Sequence, residues 1–255
     1  MNEAAINNLI TQFADDALII AHRNSEWTGL GPLLEEDIAF SSIAQDKLGH
    51  AQALYNILHT NFGGPSPDAG AFTRDESQFR CCHLVELPIG DYAFSLMRHF
   101  LYDAAEWVRY EALESSTFVP LAQLARKIKG EIKYHLFHAK TWVVQLGAQG
   151  NEESHARMQS ALNETFALAL GMFEPSEFDG ELAAAGIYPG EQQVQQRWLE
   201  LIAPVIEQAT LQLPSVEEID RSASYGGRKG YHTEHLQPML NEMTEVYRID
   251  PTAEW

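Results

Sequence analysis

The stretch from Leu33 to Thr60, LLEEDIAFSSIAQDKLGHAQALYNILHT, contains no proline and a single glycine, and a run of that length without a breaker is a long helix. Phe40, Ile43, Lys47, His50, Leu54 and Ile57 recur at steps of three and four and so share one face, while Ile38, Ala44, Leu48, Ala51, Tyr55 and Leu58 form a second. A helix apolar on two sides is expected to be a core helix. At its centre, Lys47-Leu48-Gly49-His50 places a lysine and a histidine one turn apart on a buried face, where an unpaired charge is costly.

The same periodicity predicts further helices on either side. Residues 6 to 23 form a first helix, with Ile6, Ile10, Phe13, Ala17 and Ile20 on one face and Asp16 beside them. Breakers follow from Asn24 to Pro32 and again at Gly63-Gly64-Pro65 and Pro67. The polar segment 68 to 88 is expected to be a long loop holding one short helix around Cys81. A helix beginning between Pro88 and Asp91 runs through Glu114, with Tyr92, Leu96, Phe100, Asp103, Trp107 and Tyr110 on one face. The next spans about 120 to 146, where His135 is the one polar member of a stripe from Leu121 to Leu146. Residues 152 to 173 and 191 to 211 give two more, and a last apolar stretch follows Leu236. Nothing alternates with period two for long enough to be a strand. Long helices with short connections point to one all-α domain over residues 1 to 255, a four-helix bundle with added C-terminal helices.

Charge and cysteine content narrow the function. Seventeen basic residues stand against thirty-six acidic ones, a net charge of -19, which argues against nucleic acid or an anionic membrane as a broad partner. One local basic loop remains, Gly226-Gly227-Arg228-Lys229-Gly230, whose backbone N–H groups and two cations could cradle a phosphate; a plain basic loop is the competing reading. His232-Thr233-Glu234-His235 has metal-ligand residue types, against a helix start with polar contacts. The cysteines, Cys81 and Cys82, are adjacent and poorly placed to bond to each other. With no apolar run long enough for a membrane span and no signal-like N-terminus, the expected setting is the cytoplasm.

A helical bundle can hold two metal ions when two helices each give a carboxylate and the other two each give Glu-x-x-His. This chain has Lys47 three residues before His50, and Ile132 three residues before His135. Helix three offers Asp103, and helix one offers Asp16 or nothing. Two histidines and at best two aspartates remain, and a lysine ammonium among them repels a cation. The expected alternative is a structural ion pair between Lys47 and Asp103, with His50 and His135 as satisfied core histidines. Trp107, Trp142, Trp198 and Met243 are expected to pack in the core or at an interface.

Ser25-Glu26-Trp27, the helix Gln45-Asp46-Lys47-Leu48-Gly49-His50, the run Ala71-Phe72-Thr73-Arg74-Asp75-Glu76 and the tail from Gly226 through His232-Thr233-Glu234-His235-Leu236 to Met243 resemble the C-subunit family of bacterial phenylacetyl-CoA epoxidases. The resemblance covers nearly the whole chain and implies a ferritin-like bundle. It also implies partners: an A subunit whose di-iron site forms the ring 1,2-epoxide of phenylacetyl-CoA, a small B subunit, and a reductase with FAD and an iron–sulfur cluster. The C subunit is implied to have lost the metal site and to act as scaffold. Carried over residue by residue, the catalytic pattern falls on Lys47, His50, Asp103, Ile132 and His135, and departs from it at both glutamates. The chain is thus expected to hold no metal or cofactor of its own and no catalytic residue; Arg228 and Lys229 are the candidates for a phosphate or CoA contact, against the plain basic loop, and self-association of the chain when alone stays open. Two other readings stay open: a self-sufficient metal-dependent oxidase with unusual ligands, and a stand-alone oligomeric helical protein.

Overall fold

The computed structural model describes residues 3–250, and among them there are helices, turns and bends but no strand. In chain order the helices are α1 (Glu3–Ser25), α2 (Leu34–Phe62), α3 (Pro67–Phe72), α4 (His83–Glu86), α5 (Tyr92–Leu113), α6 (Val119–Ala148), α7 (Glu152–Leu170), α8 (Asp179–Ala184), α9 (Glu191–Gln208) and α10 (Leu236–Ile249). The all-α, ferritin-like class expected from the sequence holds. No helix of the described residues is long and apolar enough to cross a membrane.

Local chemistry sets the helix ends. Asp91 and Asn151 cap α5 and α7 by accepting from Phe94 N at 2.9 Å and Ser154 N at 2.8 Å, which satisfies N–H groups that a helix start leaves open. Helix α2 begins with Glu35, Glu36 and Asp37 in its first turn and stops at Gly63, whose φ of 67° lets its N–H reach back to His59 O and Leu58 O. The 68–88 segment is less of a loop than its composition implies. Pro67 starts α3 behind the Ser66 cap, a 3-10 turn follows at Glu76–Gln78, and His83–Glu86 makes one more turn. These helices are too short for a periodic pattern to show them.

Contacts divide the chain into two compact units. The first holds Ile89–Tyr225 with the chain before Ile6. Here α5 packs against α6, α7 and α9, and seventeen of its residues from Ala93 to Leu113 are buried. Its inner surface is therefore most of its circumference and not the single expected stripe. Trp198 of α9 plugs this unit: it is fully buried, its indole N–H donates to Leu101 O at 2.9 Å, and its ring lies 5.8 Å from Phe166 and 5.0 Å from Phe173. Trp107 and Trp142 are half-buried.

The second unit holds Ile6–Pro88 and the chain from Gly226, so that α1 to α4 join α10. Phe72 of α3 stacks on Tyr247 of α10 at 5.4 Å. Helix α2 is buried along one broad face, from Glu36 through Lys47 and His50 to Leu58. The second apolar face expected for it is only partly inside, because Ile38 is 60% exposed and Leu48 45% exposed. Apolar residues at the surface are common enough that helical spacing alone does not assign them inward. Met243, on α10, is half-buried.

Replacing Trp198 with Ala should remove both ring contacts and leave a cavity, costing about 3–5 kcal/mol of stability. Urea unfolding would show it as a lowered midpoint, and a midpoint equal to the parent's would refute the assignment of Trp198 as the plug of its unit.

Candidate functional site

In the second unit the polar residues converge on α1, which carries Asp15 and Asp16 side by side, each with no exposed surface. Asp15 accepts from Arg74 Nη1 at 3.0 Å and Nη2 at 2.6 Å, from the Tyr55 hydroxyl at 2.5 Å and from Arg80 N at 2.7 Å. Burial and the Asp15 charge push the Tyr55 hydroxyl well above its usual range, so it stays a donor. Burial pulls the Arg74 guanidinium down, but Asp15 and Tyr55 more than offset this and hold it above its ordinary value. Arg74 also lies 3.9 Å over the Phe79 ring.

Asp16 is held in the same way by the tail. Arg228 donates to it from Nη1 at 2.9 Å and Nη2 at 2.7 Å, a two-pronged grip, and Cys82 N adds 2.8 Å. Arg228 Nη1 also reaches Arg80 O at 2.8 Å. The glycines around Arg228 serve this grip. Gly226 and Gly230 take φ of 127° and 85°, and Gly227 presses so closely on Cys81 O that no Cβ would fit. In this structure Asp16, the helix-one candidate, is thus engaged by a guanidinium, and of the two loop cations Arg228 is buried against that carboxylate while Lys229 is exposed.

Glu86, at the end of α4, forms a second junction with the tail. Its side chain and that of His232 are both fully buried, with Nδ1 to Oε1 at 2.7 Å. Thr233 donates to Oε2 from its N–H at 2.8 Å and its hydroxyl at 2.7 Å, and the Cys81 thiol reaches Oε1 at 3.6 Å. The Glu86 carbonyl takes Arg23 Nε at 3.0 Å and Nη2 at 2.6 Å, while Arg23 Nη1 meets Glu26 at 2.7 Å. Cys81, Glu86 and His232 have the donor types of a metal site, with ligand atoms close together. In this structure they meet through hydrogen bonds. Two ligands of one tetrahedral ion at bond lengths near 2.0 Å stand about 3.3 Å apart, farther than the 2.7 Å found. His232 Nε2 faces Phe79 O at 3.1 Å, and since a carbonyl only accepts, that nitrogen carries hydrogen. Nδ1 and Glu86 Oε1 are joined by a hydrogen bond. Burial, then Glu86, push the Cys81 thiol well above its usual range, which keeps it neutral.

In the first unit, α5 and α6 bring together the histidines and Asp103. His99 Nδ1 lies 2.7 Å from Asp103 Oδ2, one turn along α5, and the His99 ring is 5.7 Å from that of His138 and 6.5 Å from that of His135. Asp103, His135 and Ile132 are fully buried. Lys47 and His50, also buried, lie on α2 of the other unit. Further along α5, Arg109 donates to Glu191 at 3.0 Å and to Met172 O at 2.6 Å, and Glu191 accepts from the Tyr188 hydroxyl at 3.1 Å.

Two comparisons with known proteins bear on this arrangement. The family model described as Phenylacetic acid catabolic protein matches residues 1–255. The chain belongs to that family. It is also 34% identical over 244 residues, 96% of each chain, to the C subunit of the 1,2-phenylacetyl-CoA epoxidase of Escherichia coli (strain K12).

In this member of the phenylacetic acid catabolic family, three of the four motifs that carry the sequence resemblance act as clasps. Arg74 of Phe72-Thr73-Arg74, Glu26 of Ser25-Glu26-Trp27, and Arg228, His232 and Thr233 of the tail all end on α1 or on Glu86 and Arg23. His99, His138, Arg98, Glu106 and Arg109 were not singled out from the sequence, although all are buried. The available signal was the recurrence of polar residues at 95, 98, 99, 103, 106 and 109 through an otherwise apolar α5, and of a second histidine three residues after His135 on α6.

Replacing His232 with Leu strands the Glu86 carboxylate and should cost about 3–5 kcal/mol, whereas Ala at the exposed Glu234 should change stability by less than about 0.5 kcal/mol. Equal unfolding midpoints for the two variants would remove the clasp. The buried thiols give a second check. At neutral pH the native chain should consume no alkylating reagent at Cys81 or Cys82, and both should react after denaturation.

Proposed function

We propose that this chain is the structural, non-catalytic subunit of a multicomponent monooxygenase that forms the ring 1,2-epoxide of phenylacetyl-CoA in phenylacetate catabolism. In this reading it works in the cytoplasm, pairing with and supporting a di-iron catalytic subunit, with a small B subunit and a reductase carrying FAD and an iron–sulfur cluster completing the assembly. The family and the printed name of the Escherichia coli relative support a place in such an assembly.

The donor set carries the non-catalytic part. A bundle di-iron site needs both glutamates of its Glu-x-x-His pairs. Lys47 and Ile132 stand at those positions and neither has any exposed surface. An ammonium repels a metal cation, and an isoleucine has no lone pair to give. Asp103 is already engaged by His99, and Asp16 by Arg228. These residues do not fit a di-iron pair, so no step of the oxygenation is assigned to this chain.

Purifying the chain alone and together with the catalytic subunit, then measuring iron, mass and phenylacetyl-CoA turnover on both samples, tests this. The expected result is substoichiometric iron and no turnover for the chain alone, and a stable iron-bearing complex for the pair. Two irons and oxygen consumption by the chain alone would overturn the reading in favour of a self-sufficient oxidase. Failure to form a complex would favour a stand-alone oligomer.

A further inference from the structure

Helix α6 is a basic helix in an acidic protein. It carries Arg126, Lys127, Lys129, Lys133 and Lys140 against one carboxylate, Glu131, in a chain of net charge -19. Its inner arc, from Leu121 through Ile128 and Ile132 to Val143, is buried. At 100° per residue, Arg126, Lys127, Gly130, Lys133, Tyr134 and Phe137 fall on the opposite arc, and all six are exposed. Tyr134 is 55% exposed and Phe137 66% exposed. Lys129 is turned aside, its Nζ 2.6 Å from Glu114.

Gly130 sits in the middle of this arc. Glycine is unfavourable in a helix interior, and a Cβ built on it would meet nothing within 4 Å. Packing inside the chain therefore does not require it. What it provides is a notch, with the exposed rings of Tyr134 and Phe137 on the following turns, where another backbone can come close.

We propose that this arc of α6 is a docking face for another protein subunit of the same assembly, one that presents carboxylates around an apolar centre seated over Gly130. Exposed aromatics ringed by cations have the composition of an interface core and its rim, and the sign of the rim selects an acidic partner. An anionic bilayer and a second copy of this acidic chain are both disfavoured by the net charge. The inference rests on the reading of the chain as an assembly subunit.

The test measures binding of the full-length chain to each other epoxidase subunit of the same organism by calorimetry at low and high salt. The parent is compared with Lys133→Glu combined with Lys140→Glu, with Tyr134→Ala combined with Phe137→Ala, and with Gly130→Leu. One subunit is expected to bind the parent in a salt-sensitive way and to lose about tenfold or more with the charge reversal. The other two variants should also weaken it, with the fold retained: an unchanged unfolding midpoint for Tyr134→Ala combined with Phe137→Ala, and an unchanged or raised one for Gly130→Leu. Parent-like affinity of the variants for a subunit that binds the parent would overturn the docking face while leaving the subunit reading intact. Binding of no subunit by the parent would sink both. A parent dimer split by the charge reversal would assign the face to a second copy, and salt-sensitive binding of phosphatidylserine vesicles would assign it to a membrane; either would replace this proposal.

Discussion

Two neighbouring carboxylates, Asp15 and Asp16, sit in the dry middle of α1, and the unit formed by Ile6–Pro88 and the chain from Gly226 is arranged to satisfy them. A buried charge left alone costs several kcal/mol. Each aspartate therefore has its own guanidinium, Arg74 from just beyond α3 and Arg228 from the tail, and backbone N–H groups from residues 80 and 82 take up remaining lone pairs. The glycines at 226, 227 and 230, the 3-10 turn at 76–78 and the short α4 all place these partners. They look like loop punctuation in the sequence, yet each is fixed by a carboxylate it has to reach or cover.

The other unit solves a similar problem around α5. Its buried Asp103 and Arg109 are about one and two-thirds turns apart. The aspartate is met by His99 on the same helix and the arginine by Glu191 of α9. At the positions where the bundle pattern calls for glutamates this chain has Lys47 and Ile132, both buried.

The long helices were legible because a 3.6-residue period survives over 20 or more positions and because Asp91, Asn151 and Gly63 have unambiguous capping chemistry. The short α3, α4 and α8 have too few residues to show a period. Ile38 and Leu48 were misplaced because apolar spacing marks a face without saying what covers it. Arg228 and Asp16 show the limit most clearly. Each residue type pointed to a plausible ligand, a phosphate for one and a metal for the other, and only tertiary structure shows that they are each other's ligand. His99 and His138 escaped notice because a polar residue inside an apolar helix has no signature until its neighbours on other turns are known.

The grip of Arg228 on Asp16 joins residues 212 positions apart, and this fixes an order of events. During synthesis at about 5–20 residues per second, α1 precedes its partner by roughly 10–40 s. Throughout that interval Asp16 has no guanidinium and is better hydrated than buried, so α1 cannot settle into its final environment ahead of the tail. A chain halted before Gly226 would hold a long helix in waiting, with Asp15 already gripped by Arg74 and Asp16 still short of its guanidinium.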